Sequence, residues 1–413
     1  GDNYNNLHKY PHVSYDDFRI YHVAENLDYN KTFQSRLMAT NKLHITEDGK
    51  NLYEVPVAYH LDTYKVGQYL KRKAIETPKC KYINDQVVGF KQDENGFVKY
   101  LKTKSGKNIK GDLFIDCSGF ARVLINKIEK NKWVSYKNNL LVDSALNFNY
   151  EIEESEEIRN YTHAWAQKNG WCWEIPTQTR MGCGYVFSSK HTNFEKAYDE
   201  ISKKLKNRKI KIQKEISFNT GRLEKFWIKN VLSTGLSSAF IEPLEATSIH
   251  ATLMQINHFI EYYFKKDLNY KCNLFQEQYN SEMTQMWDNI RDFIVYHYIT
   301  PRKDSKFWKE SSNPRRWPPR LKRLMTMWKY KMPRENDYVN DIGNNFYNLG
   351  NTLWYQVGIG MKIFDSKLAR KELDNYHLYK PMKKFYKELN NNLDSIMNTF
   401  YKTNKYYKLV DKI

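Results

Sequence analysis

The chain has 413 residues, of which 41% are hydrophobic and 15% aromatic, and its 66 Lys and Arg against 47 Asp and Glu give a formal net charge of +19. This apolar content is enough to bury a core, which excludes wholesale disorder. The length predicts two domains, or one large domain with an appendage. No run of 18 apolar residues occurs, so no membrane span is expected.

The positive charge has two interpretations. Basic runs such as residues 203–209 and 315–317 would suit contacts to the phosphates of a nucleic acid. A Lys- and Asn-rich composition spread over solvated faces explains the same charge without any partner. The charge is scattered, and the sequence shows neither zinc-finger spacing nor a stacking motif for single strands. Nucleic acid is therefore not an expected partner.

Cysteine and histidine usage bears on compartment and metals. The five cysteines are odd in number and form no CxxC pair. A disulfide framework or a structural zinc site is therefore not expected, and a reducing, cytoplasmic location is predicted. No HxxxH pair lies on a predicted helix, so no metal is expected. The start of the chain is neither a signal peptide nor an initiating Met.

The predicted elements begin after a polar, aromatic and irregular stretch of about 60 residues. Residues 62–75 carry apolar side chains spaced for one face of a helix. Strands are predicted at 82–91 and 97–103, with a return strand after Gly106.

Residues 111–120 read Gly-Asp-Leu-Phe-Ile-Asp-Cys-Ser-Gly-Phe. A short apolar strand that closes on small residues is typical of the carboxyl edge of an α/β sheet, where cofactors bind, although an ordinary strand edge has the same pattern. The chain is then predicted to be rich in strands from about 140 to 230 and largely helical from Ile249 onward. Pro314 and the pair at 318–319 mark a loop between helices.

Residues 170–176 read Gly-Trp-Cys-Trp-Glu-Ile-Pro, and a second strand is predicted at 181–188. Tryptophans two residues apart in a strand point to the same face of the sheet. Packing in a core would by itself explain this pair. The alternative is a wall of indole rings beside a ligand.

Residues 242–249 read Glu-Pro-Leu-Glu-Ala-Thr-Ser-Ile and lead into a helix with an apolar stripe from Ile249 to Ile260. Thr247 or Ser248 is the expected N-cap. The N-terminus of a helix offers free N–H groups and the positive end of the helix dipole, which suits an anion. A capped helix that binds nothing has the same sequence pattern.

These segments together resemble the flavin-dependent halogenases of the tryptophan halogenase type. Residues 170–176 are similar to the WxWxIP signature of that family. Residues 237–247 are similar to its run of Ser-Ser, an aromatic residue, Glu-Pro-Leu-Glu and Thr. Residues 290–308 resemble the helix and turn that follow. The likeness extends, with gaps, from about Asp62 to about Trp354.

The resemblance implies a mixed α/β fold, that of the FAD-binding, Rossmann-like monooxygenases and halogenases, with a β-rich substrate sheet and a helical C-terminal part. It divides the chain into the remainder of an FAD-binding region (1–140), a β-rich substrate and wall region (141–230), a flavin and halide loop with its helix (231–270) and a helical region that caps the substrate (271–413).

The implied activity is halogenation of an aromatic substrate, indole- or phenol-like, through hypohalous acid that the enzyme generates. FADH2 from a separate flavin reductase, O2 and a halide (chloride, bromide or iodide) are the implied cofactors. A homo-oligomer is compatible with the family.

The resemblance also implies site residues. Glu245 is matched to the catalytic carboxylate, and Thr247 and Ser248 to the residues that bind the halide through backbone N–H groups. Trp171 and Trp173 are matched to a wall between flavin and substrate. Phe346 and Tyr347 are matched to the aromatic pair around the substrate. The residues expected at the cofactor are Val87, Asp116, Gly119, Gly235, Leu236, Pro243 and Ile249.

The sequence departs from the family at several positions. It contains no GxGxxG turn for a cofactor pyrophosphate, and no Lys can be matched to the family's catalytic Lys. We expect both to lie in an N-terminal segment that this sequence lacks, and FAD affinity of the chain as written to be poor. Ser248 replaces a Gly and Ala246 a Ser. Ile342, beside Asp341, falls near the family's Glu for the amino group, so free tryptophan does not follow as the substrate.

Two alternatives remain at the level of sequence. One is a flavin monooxygenase that hydroxylates, which product masses with and without bromide would separate from a halogenase. The other is a non-catalytic basic protein that keeps the fold, which salt-dependent DNA retention without a flavin signal would favour.

Overall fold

The computed structural model describes residues 14–28, 33–46, 58–206, 208–264, 272–338 and 351–410. The strands are β1 (Lys42–Thr46), β2 (Val87–Gln92), β3 (Val98–Thr103), β4 (Asn108–Lys110), β5 (Phe114–Asp116), β6 (Trp133–Ser135), β7 (Ser144–Glu151), β8 (His163–Ala166), β9 (Gly170–Pro176), β10 (Arg180–Phe187), β11 (Lys211–Ser217), β12 (Gly221–Leu223), β13 (Trp227–Ile228), β14 (Val231–Ser233), β15 (Ala239–Phe240) and β16 (Phe400–Lys402). The α-helices are α1 (Tyr15–Ala24), α2 (Phe33–Ala39), α3 (Thr63–Glu76), α4 (Phe194–Lys204), α5 (Thr247–His258), α6 (Asn273–His297), α7 (Lys306–Ser311), α8 (Pro319–Met327), α9 (Asn351–Gly360), α10 (Ser366–Asn375), α11 (Tyr379–Met397) and α12 (Thr403–Val410).

The largest described sheet has five antiparallel strands in the order β11-β7-β10-β9-β8. One face packs on α4, where Phe148 and Tyr185 meet Ala197 and Ile201 in a buried cluster. The alternation of buried and partly exposed side chains along β7 explains why this segment forms a strand with one face in the core. The helix α4 lies inside the stretch that was predicted to be rich in strands.

A smaller sheet places two parallel strands side by side. In the order β13-β14-β5, strand β14 runs parallel to β5, with Ser233 opposite Asp116. The loops that follow these two strands therefore leave from the same edge. This arrangement confirms the prediction that residues 111–120 end at a carboxyl edge.

The main hydrophobic core surrounds the long helix α6. Its buried residues, among them Trp287, Phe293 and Tyr296, pack with Trp227 from β13 and Trp354 from α9. Because one face of this helix is covered along most of its length, its last turn is fixed relative to the sheets.

A second core forms where α1 packs on α10 and α11. Phe18 and Phe385 meet edge to face with ring centroids 5.1 Å apart. The N-terminus of α1 is fixed by a capping box, in which the Ser14 side chain accepts from Asp17 N and the Asp17 carboxylate accepts from Ser14 N. The prediction of an irregular start was therefore wrong for residues 15–24, where this capping signal had not been read, and it was also wrong for α2 and β1.

Other predicted elements lie close to their expected positions. The helix at 62–75 is α3, which begins one residue later, and the strands at 97–103, 171–176 and 181–188 are β3, β9 and β10. The strand predicted from Tyr82 begins only at Val87. None of the helices in the described part of the chain is long and apolar enough to span a membrane.

Candidate active site

Two loops meet at the carboxyl edge of β5 and β14. Thr234 N donates to Asp116 O at 3.2 Å, and Arg122 Nε donates to Ser237 O at 3.2 Å. The Ser237 hydroxyl also donates to Asp116 O. These bonds hold the loops after β5 and β14 against each other, and both carry residues that were predicted to contact a cofactor.

Asp116 itself is a structural carboxylate in this arrangement. It is 2% exposed. Its Oδ1 accepts from Ser118 N at 3.0 Å, and its Oδ2 accepts from Leu124 N at 3.0 Å and Ile125 N at 2.9 Å. The side chain therefore fixes the course of the loop that follows β5. That Asp116 also contacts a cofactor stays a prediction.

Gly119 and Gly235 have φ angles of +67° and +66°, which favour glycine. A Cβ at Gly119 would meet open space. Leu236 is 37% exposed and Ile249 60% exposed. Val87 lies in β2 and packs at the edge of the cluster that contains Phe114 of β5.

A cavity of about 490 Å³ lies beside these loops. It brings together residues from β8, β9, β15 and the start of α5, so the structure joins the two motifs that were read separately in the sequence. The lining residues are Thr162, Ala164, Trp171, Trp173, Ile175, Phe240, Pro243, Leu244, Glu245, Ala246, Ser248 and Ile249.

Trp171 and Trp173 form one wall of this cavity. Their ring centroids lie 6.0 Å apart, as expected for residues on the same face of β9. Trp173 lies opposite Gly184 of β10, and a Cβ on Gly184 would lie 2.0 Å from the indole ring. Glycine at this position is therefore what allows the ring to lie across the neighbouring strand.

The loop that enters α5 is strained. Glu245 (φ 62°) and Ala246 (φ 49°) both adopt the left-handed conformation, which costs a non-glycine residue roughly 1–3 kcal/mol. Ala246 is the N-cap of α5, so the prediction that Thr247 or Ser248 caps the helix was wrong, because the left-handed turn ends one residue earlier than expected.

The start of α5 carries no side-chain cap. Thr247 is 5% exposed, and its Oγ1 has no hydrogen-bond partner among the described residues. The first N–H groups of a helix have no partner within the helix, and the helix dipole is positive at this end. The helix therefore offers donors to an anion beside Ser248, which lines the cavity.

Glu245 pairs with His297, the last residue of α6. His297 Nε2 lies 2.9 Å from Glu245 Oε1, and His297 Nδ1 lies 2.8 Å from Phe293 O. Because a carbonyl oxygen only accepts, Nδ1 carries a proton, and one proton is shared between Nε2 and Oε1. Burial raises the pKa of the Glu245 carboxyl, but the hydrogen bond and charge of His297 lower it by more, so the pKa lies below its usual value.

Glu242 is a second carboxyl in the same loop, and it is 0% exposed. Its Oε2 accepts from Trp171 Nε1 at 3.2 Å and from the Tyr298 hydroxyl at 2.9 Å. Burial raises the pKa of Glu242 to about 7, against the opposing effects of these two hydrogen bonds and of His297.

Neither His297 nor Glu242 had been assigned a role from the sequence. His297 is 52 residues from Glu245 along the chain. Sequence spacing gives no sign that Glu245 and His297 meet. Nothing in the motif shows that the carboxyl of Glu242 is buried while that of Glu245 lines the cavity.

Phe346 and Tyr347, the predicted substrate pair, lie outside the described residues, as do Asp341 and Ile342. In the part of the chain that the structure describes, no group of three or more His, Cys, Asp or Glu is arranged to hold a metal.

The residues present fit a flat cofactor at the carboxyl edge of β5 and β14. Two loops with left-handed glycines face outward there, and exposed Leu236 and Ile249 offer apolar contact. Thr234, between the loops, is buried with its Oγ1 unpartnered among the described residues. The cavity with Glu245 lies next to this edge.

The carboxyl edge of β5 and β14, the uncapped start of α5 and the carboxyl–imidazole pair of Glu245 and His297 thus lie beside one apolar cavity. The chain belongs to the tryptophan halogenase family, whose sequence model matches residues 8–373.

The chain is 31% identical over 352 residues to tryptophan 7-halogenase RebH of Lentzea aerocolonigenes, covering 82% of this chain and 65% of the relative. It is 34% identical over 259 residues to tryptophan 6-halogenase ThaL of Streptomyces albogriseolus, covering 61% of this chain and 48% of the relative. The chain thus spans between about half and just under two thirds of the length of these relatives.

Among solved structures, Tar14, a tryptophan C-6 flavin-dependent halogenase (chlorinase) from taromycin biosynthesis, superposes with a TM-score of 0.84 at 25% identity, covering 95% of this chain and 79% of that one. BrvH, a flavin-dependent halogenase from Brevundimonas sp. BAL3, shares the fold with a TM-score of 0.76 at 24% identity, covering 91% and 74%. The family resemblance and the expected FAD-binding, Rossmann-like fold class are confirmed. The division into four regions stays a prediction.

Proposed function

We propose that the chain carries the flavin, halide and substrate sites of a flavin-dependent halogenase that acts on a flat aromatic compound. The observation that carries the proposal is the Glu245–His297 pair beside the uncapped N-terminus of α5, in a cavity walled by two tryptophans. Family membership supports it, since the relatives named above are halogenases.

The loops after β5 and β14 would hold the isoalloxazine, with Gly119 and Gly235 allowing close approach and Leu236 and Ile249 packing on the ring. Asp116 would support the cofactor by holding the first of these loops. When bound as FADH2, the cofactor together with O2 supplies the oxidising power for the halide. A separate reductase is the proposed source of FADH2.

The halide would bind at the backbone N–H groups of Thr247 and Ser248. Such a site neutralises the anion with helix dipole and hydrogen bonds and needs no cationic side chain. The hydroxyl of Thr247 is a further donor that has no partner within the described chain. The strained turn at Glu245 and Ala246 places this helix start beside the cavity.

Glu245 would take the proton that the aromatic ring loses when its C–H bond is replaced by a C–halogen bond. The lowered pKa of Glu245 keeps it ionised and able to accept near neutral pH. Its Oε1 is bonded to His297, which leaves Oε2 for the ligand. His297 orients the carboxylate and stabilises its charge through the shared proton.

Trp171 and Trp173 would separate the cofactor from the substrate, so that only a small halogenating species passes between them. Glu245 is the one charged residue among those described at the cavity. This lining favours a neutral indole- or phenol-like group over the charged end of a free amino acid.

Two further proposals concern the whole protein. A cytoplasmic location is supported by the five unpaired cysteines. A homo-oligomer is also proposed.

The test is product mass. The protein is incubated with FADH2, O2, bromide and a panel of indoles and phenols, and we expect a brominated product. Glu245→Gln, which keeps the shape and loses the base, should lower turnover about 10²- to 10⁴-fold with halide binding retained, because general acid–base groups contribute that much.

Two outcomes would contradict the proposal. A product heavier by one oxygen, with or without bromide, would make the protein a hydroxylase. Equal turnover in the wild type and in Glu245→Gln would remove Glu245 from the reaction.

A further inference from the structure

Glu242 is a carboxyl that the proposed reaction does not use. It is fully buried, three positions before Glu245, and Ile241 and Pro243 flank it in the same loop. A charged or ionisable group is rarely placed entirely out of water unless its partners hold it there. Its contacts therefore indicate what it does.

The two donors to Glu242 come from two different elements. Trp171 belongs to β9 and lines the cavity, and Tyr298 follows the last residue of α6. Both bond to Oε2 alone, and Oε1 has no partner in the described part of the chain. Glu242 thus joins the indole wall, the end of α6 and the loop of Glu245 at a single oxygen atom.

The neighbour of Tyr298 along the chain is His297, the partner of Glu245. A shift of Tyr298 would move His297 with it, because Tyr298 is the C-cap of the same helix. A shift of Trp171 would move the cavity wall. The geometry of the proton-accepting pair and that of the wall are therefore set by the same carboxyl.

We propose that Glu242 is a positioning residue that binds the wall residue Trp171 and the helix end at Tyr298 together and so holds the Glu245–His297 pair against the cavity. This inference rests on the proposed function for its consequence, but the contact itself can be tested without any reaction.

The charge of Glu242 matters for this role. Two donors aimed at one oxygen bind an ionised carboxylate more strongly than a neutral carboxyl. Burial raises the pKa of Glu242 to about 7, while the bonds from Trp171 and Tyr298 and the charge of His297 oppose that rise. The titratable groups that act on it are thus Tyr298 and His297, both at the end of α6. The contact should strengthen as the pH rises through neutrality.

The probe is the indole N–H signal of Trp171 in an NMR spectrum of the protein labelled at its 10 Trp side chains. It is assigned by its loss in Trp171→Phe. We expect this signal to move downfield as the pH rises through about 7, because the carboxylate is the better acceptor. Trp227 and Trp308 donate to backbone carbonyls at 2.9 Å and 2.8 Å, so their signals should stay fixed and serve as internal controls.

Two variants separate the contributions. Glu242→Gln cannot ionise, keeps an acceptor oxygen and should abolish the titration of the Trp171 signal while the protein stays folded. Tyr298→Phe removes a bond that favours the ionised form, so the midpoint should move to higher pH. A Trp171 signal that is flat in the wild type, or that titrates equally in Glu242→Gln, would overturn the inference.

The positioning role has its own readout. In the protein supplied with FADH2, O2 and bromide, the halogenation rate should rise with pH through about 7. This rise should be absent from Glu242→Gln, and in Tyr298→Phe it should occur at higher pH. The same rise in Glu242→Gln would show that the residue is only structural. If the Trp171 signal titrates but no halogenated product forms, the contact with Glu242 is supported and the proposed function is rejected. If halogenated product forms but the signal does not titrate, the proposed function is supported and the role of Glu242 is rejected.

Discussion

Glu245 and Ala246 are consecutive non-glycine residues with left-handed backbone, and they precede the helix that would hold the halide. Such a turn persists only where surrounding contacts fix it. One contact is the bond from Glu245 to His297, and another is the bond from Ala246 N to Pro243 O at 2.9 Å. The carboxylate therefore faces the cavity because the backbone is held, and His297 contributes to holding it.

His297→Gln tests how far His297 controls the charge of Glu245. The imidazole lowers the pKa of Glu245, so the carboxylate persists to lower pH than it would alone. Without His297, burial should raise that pKa, and the carboxyl should protonate at higher pH. Because the loss of His297 also acts on Glu242, the effect is measured in Glu242→Gln, which should lack the rise through about 7, and there the acidic limb of the halogenation rate should move upward in pH. The rate–pH profile measures this shift.

His163→Gln is the matched control, since His163 also contacts a glutamate, Glu174, but both lie on the face of the sheet opposite to Ala164 and Trp173, which line the cavity. Added to Glu242→Gln, it should leave the profile unchanged. An unshifted acidic limb in His297→Gln would show that His297 does not set the protonation of Glu245.

The strands β9 and β10 pack closely because Gly184 of β10, which lies opposite Trp173 of β9, has no side chain. Gly184→Ala should destabilise the protein by about 1–3 kcal/mol, the usual cost of overpacking, because the added Cβ would lie 2.0 Å from the Trp173 ring. Urea unfolding measures the loss, and near-ultraviolet circular dichroism should report the displaced indole.

Gly182→Ala in the same strand is the control, because its Cβ would meet nothing closer than Ile175 O at 3.6 Å. It should cost much less. Equal losses in the two variants would point to backbone conformation as the cause and away from contact with Trp173.

We predict the choice of halide from the backbone N–H groups at the start of α5. A site built from backbone N–H groups favours anions that shed water readily, so bromide or iodide should be used at least as well as chloride. Ser248, where the family has Gly, borders the cavity, and Ser248→Gly should change the ratio of products by widening the site. Competition among the three halides, with products resolved by mass, gives the ratios. A chloride preference that Ser248→Gly leaves unchanged would contradict both expectations.

Sequence patterns predicted these elements better than they predicted the pairings between them. The helix α5 and the strand β9 follow local periodicities, and both elements were identified correctly, although the apolar stripe of α5 is exposed. The capped start of α5 was placed wrongly because Thr and Ser look like caps, whereas the left-handed turn depends on the packed loop. The bonds of Glu245 and Glu242 to residues of α6 and β9 depend on tertiary structure and could not be read from spacing.

The Lys and Arg residues behind the net charge of +19 are spread along the whole sequence. Both Lys203 and Lys206, around the end of α4, and Lys383 and Lys384, on α11, are exposed. A general excess of positive charge attracts a polyanion wherever it lies, whereas a binding site concentrates the effect in one place.

Lys203→Glu/Lys206→Glu and Lys383→Glu/Lys384→Glu should therefore lower retention on a DNA column to the same extent, and the wild type should elute by physiological salt. The salt concentration at elution is the measurement. A much larger effect of one pair, with retention above physiological salt, would indicate a nucleic-acid site and revive the non-catalytic alternative.

The two-stranded sheet of β1 and β16 joins residues 42–46 to residues 400–402. Lys42 Nζ donates to Met397 O at 2.8 Å, and Lys42 O accepts from Asn160 Nδ2 at 2.6 Å, so this sheet also touches the middle of the chain. During synthesis on the ribosome, β1 emerges long before its partner strand exists. Domains form in order as the chain emerges, and contacts of such long sequence separation close late. Native pairing of β1 must therefore wait until residues 400–402 have been made, and cleavage of the chain before Phe400 would leave the edge of β1 without its partner strand.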